Sequence, residues 1–177
     1  AGLRDLALTF SRRMNECVKT TDSGVTIRAL ASTALTANTM AEYAARIVET
    51  YEQWLGEYPY ASLDIAETDL LHGMSRSGVI FVPSALCGLT KRSALEEELS
   101  VLCARQWFGG KVGSNPENEP WMNDTLSHYF SLLYYEEREG YSGYLKRLNA
   151  EVLDALQITL PGGLVVDSHA SRFTDYG

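Results

Sequence analysis

The chain has 177 residues, of which 45% are hydrophobic and 21% charged, a composition typical of one folded domain. Its 15 basic and 23 acidic residues give a net charge of −8, which argues against nucleic acid and anionic membrane surfaces as partners, because both attract clustered cations. Apolar runs such as residues 79–82 are far shorter than the roughly 20 residues that span a membrane. Three widely spaced cysteines indicate neither a disulfide scaffold nor a zinc cage of paired cysteines. The compartment stays open, and a start at Ala1 instead of methionine favours a fragment or processed product.

The first half of the chain is predicted to be mostly strand, with one long helix. From about Asn38 apolar residues recur at steps of three and four, which predicts an amphipathic helix that ends at Gly56. A turn-like segment is expected at residues 72–78, where glycine and serine are frequent. Four segments are predicted to be strands: residues 3–10, 25–30, 60–67 and 78–82.

The second half of the chain is predicted to be helical. Ser93 and Glu96 have the spacing of a capping box at the start of the first helix. Pro120 suits the first turn of the second helix, after a loop rich in glycine. The helices are expected at residues 93–107, 120–137 and 142–156. Strands that come before helices predict an α+β domain, with a small mixed sheet in the N-terminal half.

Two short motifs point to a known family. Residues 106–109 read Q-W-F-G, and residues 121–124 read W-M-N-D with Tyr129 behind them. This arrangement resembles the catalytic core of the aminopeptidase N family of zinc metallopeptidases, which reads H-E-x-x-H-Q-W-F-G and, about eighteen residues later, W-L-N-E-G. In that family the two histidines and the later glutamate bind zinc, and the glutamate inside the first motif is the general base.

Four further segments are similar to the family, in the family's order. Residues 3–8 look like its R-D-F-A strand, residues 54–60 like its F-G-x-Y-P-Y turn, and residues 63–65 like the strand that follows. Gly73, Met74 and Ser75 fall on its G-x-M-E substrate-binding edge. The resemblance implies one thermolysin-like (gluzincin) catalytic-domain lobe over residues 1–177, truncated before the C-terminal helical half. It also implies a sheet edge at residues 73–81 beside the motif helix, and exposed apolar surface on the later helices, which flanking domains or a partner chain would cover.

The family's functional positions are degenerate in this chain. The zinc histidines fall on Val101 and Arg105, and the general base falls on Leu102. Asp124 replaces the glutamate ligand, and Ser75 replaces the glutamate that would bind a substrate's amino terminus. The family's V-V-Y-x-K-G-A segment, which carries a transition-state tyrosine, is not found in full, and Tyr176 is too short a match to assign. Valine and leucine offer zinc no lone pair, and an arginine cation repels it.

We therefore predict a pseudoenzyme with no catalytic residue and no zinc cofactor. Arg105 is expected to pair with Asp124 in the space that the metal leaves. The domain would act as a peptide-binding or structural module, with a peptide or protein segment in the remnant groove and with flanking domains of a longer chain as partners.

The alternative is an active zinc-dependent aminopeptidase whose site has been rebuilt, for which Asp124 and His128 with His72 are the candidate ligands. Cys103 is interpreted as a buried, inert thiol, because the motif places no histidine beside it. One set of aromatic residues is interpreted as core packing between the helices and not as a ligand cage: Trp107, Phe108, Trp121, Tyr129 and Tyr134.

Overall fold

The computed structural model describes residues 7–11, 13–115 and 120–157. In that part of the chain a mixed sheet is followed by helices, which confirms the α+β prediction at this level. The strands are β1 (Asn15–Thr20), β2 (Thr26–Ala31), β3 (Ser62–Thr68), β4 (Met74–Arg76) and β5 (Val79–Pro83). The helices are α1 (Ala34–Leu55), α2 (Arg92–Ala104), α3 (Pro120–Glu139) and α4 (Tyr141–Gln157).

The sheet places its last hairpin at one edge. The strand order is β1-β2-β3-β5-β4, with parallel pairs at β2–β3 and β3–β5 and antiparallel pairs at both ends. Edge strand β4 lies beside α2, and the Ser75 hydroxyl on β4 donates a hydrogen bond of 3.0 Å to the Leu102 carbonyl on α2. The predicted sheet edge beside the motif helix is therefore confirmed.

Helix α1 connects the parallel strands β2 and β3 and forms the core with the sheet. It begins after Thr33, whose hydroxyl accepts from the Thr36 N–H at 3.1 Å, and ends at Gly56, where φ is 78°. The start is four residues earlier than the apolar period predicts, since the first turn carries small and polar residues. Helix α1 packs against both the sheet and α2, and five of its residues are fully buried: Met40, Ala44, Ile47, Val48 and Tyr51.

One strand prediction and the turn prediction need correction. The strand predicted at residues 3–10 lies partly outside the described residues, and residues 7–10 form no strand. The first strand is β1. The sequence pattern does not predict it, because half of its side chains are polar and exposed. The turn-like segment at residues 72–78 contains β4, which pairs with β5 around a tight turn at Gly78, where φ is 72°.

The capping box predicted at Ser93 is wrong. Helix α2 follows a short 3-10 turn and begins at Arg92, and no side chain caps its first turn. Glu96 is instead buried and bonded to other helices, so its carboxylate is not available as a cap. The helix ends at Ala104, three residues before the predicted end. The other two helices match their predicted positions within two residues.

Helix α4 turns its apolar face to solvent. Its contacts with α3 include those of Gly143, Arg147 and Glu151, which are four residues apart and share one face. Gly143 lies so close to α3 that an added Cβ would be 3.2 Å from the Tyr135 carbonyl. The exposed apolar residues on the other faces are Tyr141, Leu145, Val152 and Leu153. The predicted apolar surface on the later helices is therefore present. None of the helices within the described ranges is both long and apolar enough to cross a membrane.

Candidate functional site

A cavity of about 270 Å³ opens at the edge of the sheet. It is bounded by β4 and the residues around it, by the end of α2 with the loop that follows, and by the first turn of α3. Five of the residues that the sequence singles out line it together: Gly73, Met74, Ser75, Arg105 and Asp124. Val101 and Leu102 are not among its described lining residues.

Arg105 and Asp124 form the ion pair that the sequence predicts. The Arg105 Nη2 atom lies 2.9 Å from Asp124 Oδ1, and the two side chains are 29% and 40% exposed. Within the described part of the chain the buried Nε atom of Arg105 has no acceptor, so the side-on bidentate geometry is not formed. Arg28 and Asp64 on the sheet do form it, with contacts of 2.8 and 2.6 Å.

The positions of the first zinc ligand and of the general base are buried. Val101 is 9% exposed and Leu102 is 1% exposed, and Leu102 belongs to the main hydrophobic core. A carboxylate at position 102 would have to enter this apolar packing, which is costly for a charged group. The apolar surroundings of position 102 therefore suit the leucine that occupies it better than a glutamate.

Gln106 organises the floor of the site, a role that the sequence motif does not reveal. Its Nε2 donates to Ser75 Oγ at 2.6 Å and to the Arg76 carbonyl at 3.0 Å. Its Oε1 accepts from the Gly78 N–H at 2.9 Å and from the Tyr58 hydroxyl at 3.2 Å. The side chain is 1% exposed, and its hydrogen-bonding capacity is used within the protein.

Ser75 and Gly73 both pack against α2. The Ser75 hydroxyl donates to the Leu102 carbonyl and accepts from Gln106, so its single proton is already committed. A Cβ at Gly73 would lie 2.8 Å from the Leu102 Cδ1 atom, so a larger residue here would have to displace that side chain. These two residues shape the cavity wall through close packing.

Zinc, the metal that the resemblance implies, does not fit these residues. Of the three ligand positions only Asp124 carries a donor, and its oxygen is engaged by the Arg105 cation. The candidate rebuilt site is not assembled in the described residues, where no group of three potential ligands comes together. His128 Nδ1 lies 3.4 Å from Glu151 Oε1 on α4, and His72 is exposed in the loop before β4.

Two other interpretations concern the interior. Cys103 is fully buried, and this burial raises the pKa of its thiol well above the usual range, as an inert thiol requires. Trp107 and Tyr134 are buried as predicted, at 2% and 1% exposure. Tyr129 is 47% exposed, so its place in the predicted aromatic core is wrong.

Comparison with known proteins adds no relative to this picture. No protein-family model matches the sequence, and no curated protein matches it significantly.

Breaking the Arg105–Asp124 pair should have a small effect on stability. Because both side chains remain partly exposed, Arg105→Ala should lower the free energy of unfolding by at most about 1 kcal/mol. A double-mutant cycle with Asp124→Ala, measured by urea denaturation, should give a coupling of about 0.2 to 1 kcal/mol. The Arg28–Asp64 pair is the matched control. A loss of 3 kcal/mol or more would mean that Arg105 is buried in solution.

Proposed function

We propose that this chain is a non-catalytic, peptide-binding module similar to the catalytic-domain lobe of the aminopeptidase N family, with a thermolysin-like fold. The observation that carries the proposal is the Arg105–Asp124 ion pair, which lies in a cavity beside edge strand β4. In the resembled family these two positions meet at the zinc ion. Here a cation of the protein itself takes the place of the metal.

Loss of catalysis follows from the side chains at the four reactive positions. Zinc-dependent hydrolysis needs three protein ligands, a metal-bound water and a base that accepts its proton. Val101 and Leu102 offer no lone pair, and Arg105 is a permanent cation. Asp124 alone does not hold zinc at useful affinity, so no water is activated near the cavity.

Binding of a peptide is supported by the sheet edge and the polar cavity. A strand at the edge of a sheet offers N–H and C=O groups to an added strand, and β4 is the last strand in the order of the sheet. Asn123 and the Arg105–Asp124 pair supply polar side chains along the adjacent cavity. An extended segment could therefore lie along β4 with side chains directed into the cavity.

Zinc content and hydrolysis, measured on the purified chain, separate this proposal from an active enzyme. After dialysis against zinc, elemental analysis should give well below one ion per chain, and hydrolysis of an aminoacyl reporter should equal the buffer background. A stoichiometric zinc ion with reporter hydrolysis that a chelator abolishes would establish the alternative, an active aminopeptidase with a rebuilt site. Binding of labelled peptides by fluorescence anisotropy tests the other half of the proposal.

A further inference from the structure

We infer that Asn123 and Gly110 hold a peptide in the cavity by hydrogen bonds to its main chain, and that the Asn123 carboxamide is the side chain that binds it. This inference rests on the proposed peptide-binding function and names the contact that holds the ligand. It is carried by hydrogen-bonding groups of these two residues that the rest of the described chain does not use.

Asn123 brings a carboxamide to the cavity from the first turn of α3. Its main-chain carbonyl accepts from the Ser127 hydroxyl at 2.7 Å, but its carboxamide has no hydrogen bond to any other described residue. Gln106 is the other carboxamide that lines the cavity, and it is bonded within the protein through both its nitrogen and its oxygen. The Asn123 carboxamide is therefore the one with donors and an acceptor to offer a ligand.

Gly110 adds main-chain groups beside Asn123. In the loop after α2, the Gly109 N–H donates to the Val112 carbonyl at 2.6 Å and the Lys111 N–H to the Gln106 carbonyl at 3.1 Å. Between them, neither the N–H nor the carbonyl of Gly110 is bonded to another described residue, although Gly110 lines the cavity.

The loop and the first turn of α3 lie next to each other. A Cβ added to Gly109, where φ is 102°, would be 3.6 Å from the Asn123 Nδ2 atom. Glycine at position 110 also leaves the main chain uncovered, since an added Cβ there would collide with the Gln106 carbonyl. Two neighbouring residues therefore offer N–H and C=O groups to the same cavity.

These groups are complementary to a peptide main chain. Each peptide unit carries one N–H donor and one C=O acceptor, and both must be paired when they leave water. A carboxamide carries the same two kinds of group, so it can bond to the N–H and the C=O of one peptide unit together. Because such contacts do not involve the ligand's side chains, we expect binding to depend on main-chain N–H groups more than on sequence.

Two pools of random nonapeptides test this inference, one with ordinary peptide bonds and one with every peptide nitrogen methylated. Both carry the same carboxy-terminal fluorophore, and anisotropy gives the apparent affinity of the 177-residue chain for each pool. The ordinary pool should bind more tightly than the methylated pool. Asn123→Ala should weaken binding of the ordinary pool about three- to tenfold, the size of one hydrogen bond, and should leave the methylated pool unchanged. A general loss of structure would weaken both pools alike.

The control is Asn149→Ala, which removes the same side chain from an exposed position on α4 and should leave both affinities unchanged. Equal affinity of the unmodified chain for the two pools would overturn the inference but leave peptide binding intact, as would an Asn123→Ala chain that binds the ordinary pool normally. If neither pool binds the unmodified chain, the proposed function itself fails. The comparison of the two pools needs no variant, so it decides the question even where a substitution impairs folding.

Discussion

Replacing Glu96 with alanine should destabilise the protein by about 1.5 to 3 kcal/mol, because it removes a buried carboxylate whose hydrogen bonds to two arginines and a tyrosine join three helices. The Glu96 carboxylate is 4% exposed and binds Arg46 Nη2 at 2.7 Å, the Arg138 guanidinium and the Tyr134 hydroxyl at 2.8 Å. Burial and the bond to Glu96 raise the pKa of Tyr134 to about 12, so the phenol keeps its proton and donates it at neutral pH. One carboxylate therefore joins α1, α2 and α3. Urea denaturation followed by circular dichroism measures the loss.

Two further variants make the Glu96 result specific. Glu97→Ala, the next residue on the same helix but exposed, should change the free energy of unfolding by no more than about 0.5 kcal/mol. Glu96→Gln keeps a polar group in place and should fall between the alanine variant and the native chain. A Glu96→Ala protein within 1 kcal/mol of the native chain would show that this network does not hold the helices together.

Replacing Gln106 with alanine should cost about 2 to 4 kcal/mol and loosen the turn between β4 and β5. The substitution leaves the Gly78 N–H and the Tyr58 hydroxyl without their acceptor, and each unsatisfied buried group costs about 1 to 3 kcal/mol. Urea denaturation gives the total loss. Hydrogen exchange at the Gly78 amide reports the turn directly, and it should accelerate more than exchange in the centre of the sheet.

The exposed Gln53 on α1 provides the matched substitution for Gln106. Gln53→Ala removes the same side chain from an exposed position and should leave stability within about 0.5 kcal/mol of the native value. Unchanged exchange at Gly78 in the Gln106→Ala protein would contradict the role assigned to this carboxamide, even if overall stability fell.

Elements in which apolar residues recur at a regular interval could be predicted from the sequence. Elements without such a pattern could not. Helix α1 was predictable because its apolar steps of three and four residues match one buried face. Strand β1 was not, because as an edge strand it exposes Glu16, Val18 and Thr20 and shows no alternation of apolar residues. Its strand conformation depends on pairing with β2, which no local pattern encodes.

In the candidate site, too, some contacts could be predicted from the sequence and others could not. The contact between Arg105 and Asp124 was predictable from the resemblance, because in that family the two corresponding positions meet at one metal ion. The roles of Gln106 and Glu96 were not, because they depend on partners such as Gly78 and Arg46, which lie 28 and 50 residues away in the chain. A glutamate three residues after a serine fits a helix cap in sequence, and only tertiary packing shows that it is buried.

The exposed apolar stripe of α4, formed by Tyr141, Leu145 and Val152, affects how strongly copies of the chain associate with one another. At neutral pH the net charge of −8 produces repulsion between molecules, which opposes contact between stripes on separate copies. Near the isoelectric point of about 4.9 this repulsion disappears, while the hydrophobicity of Tyr141, Leu145 and Val152 does not change. Colloidal stability of the isolated chain therefore depends on its surplus of acidic groups, and acidification or added salt removes that protection by neutralising or screening the charge.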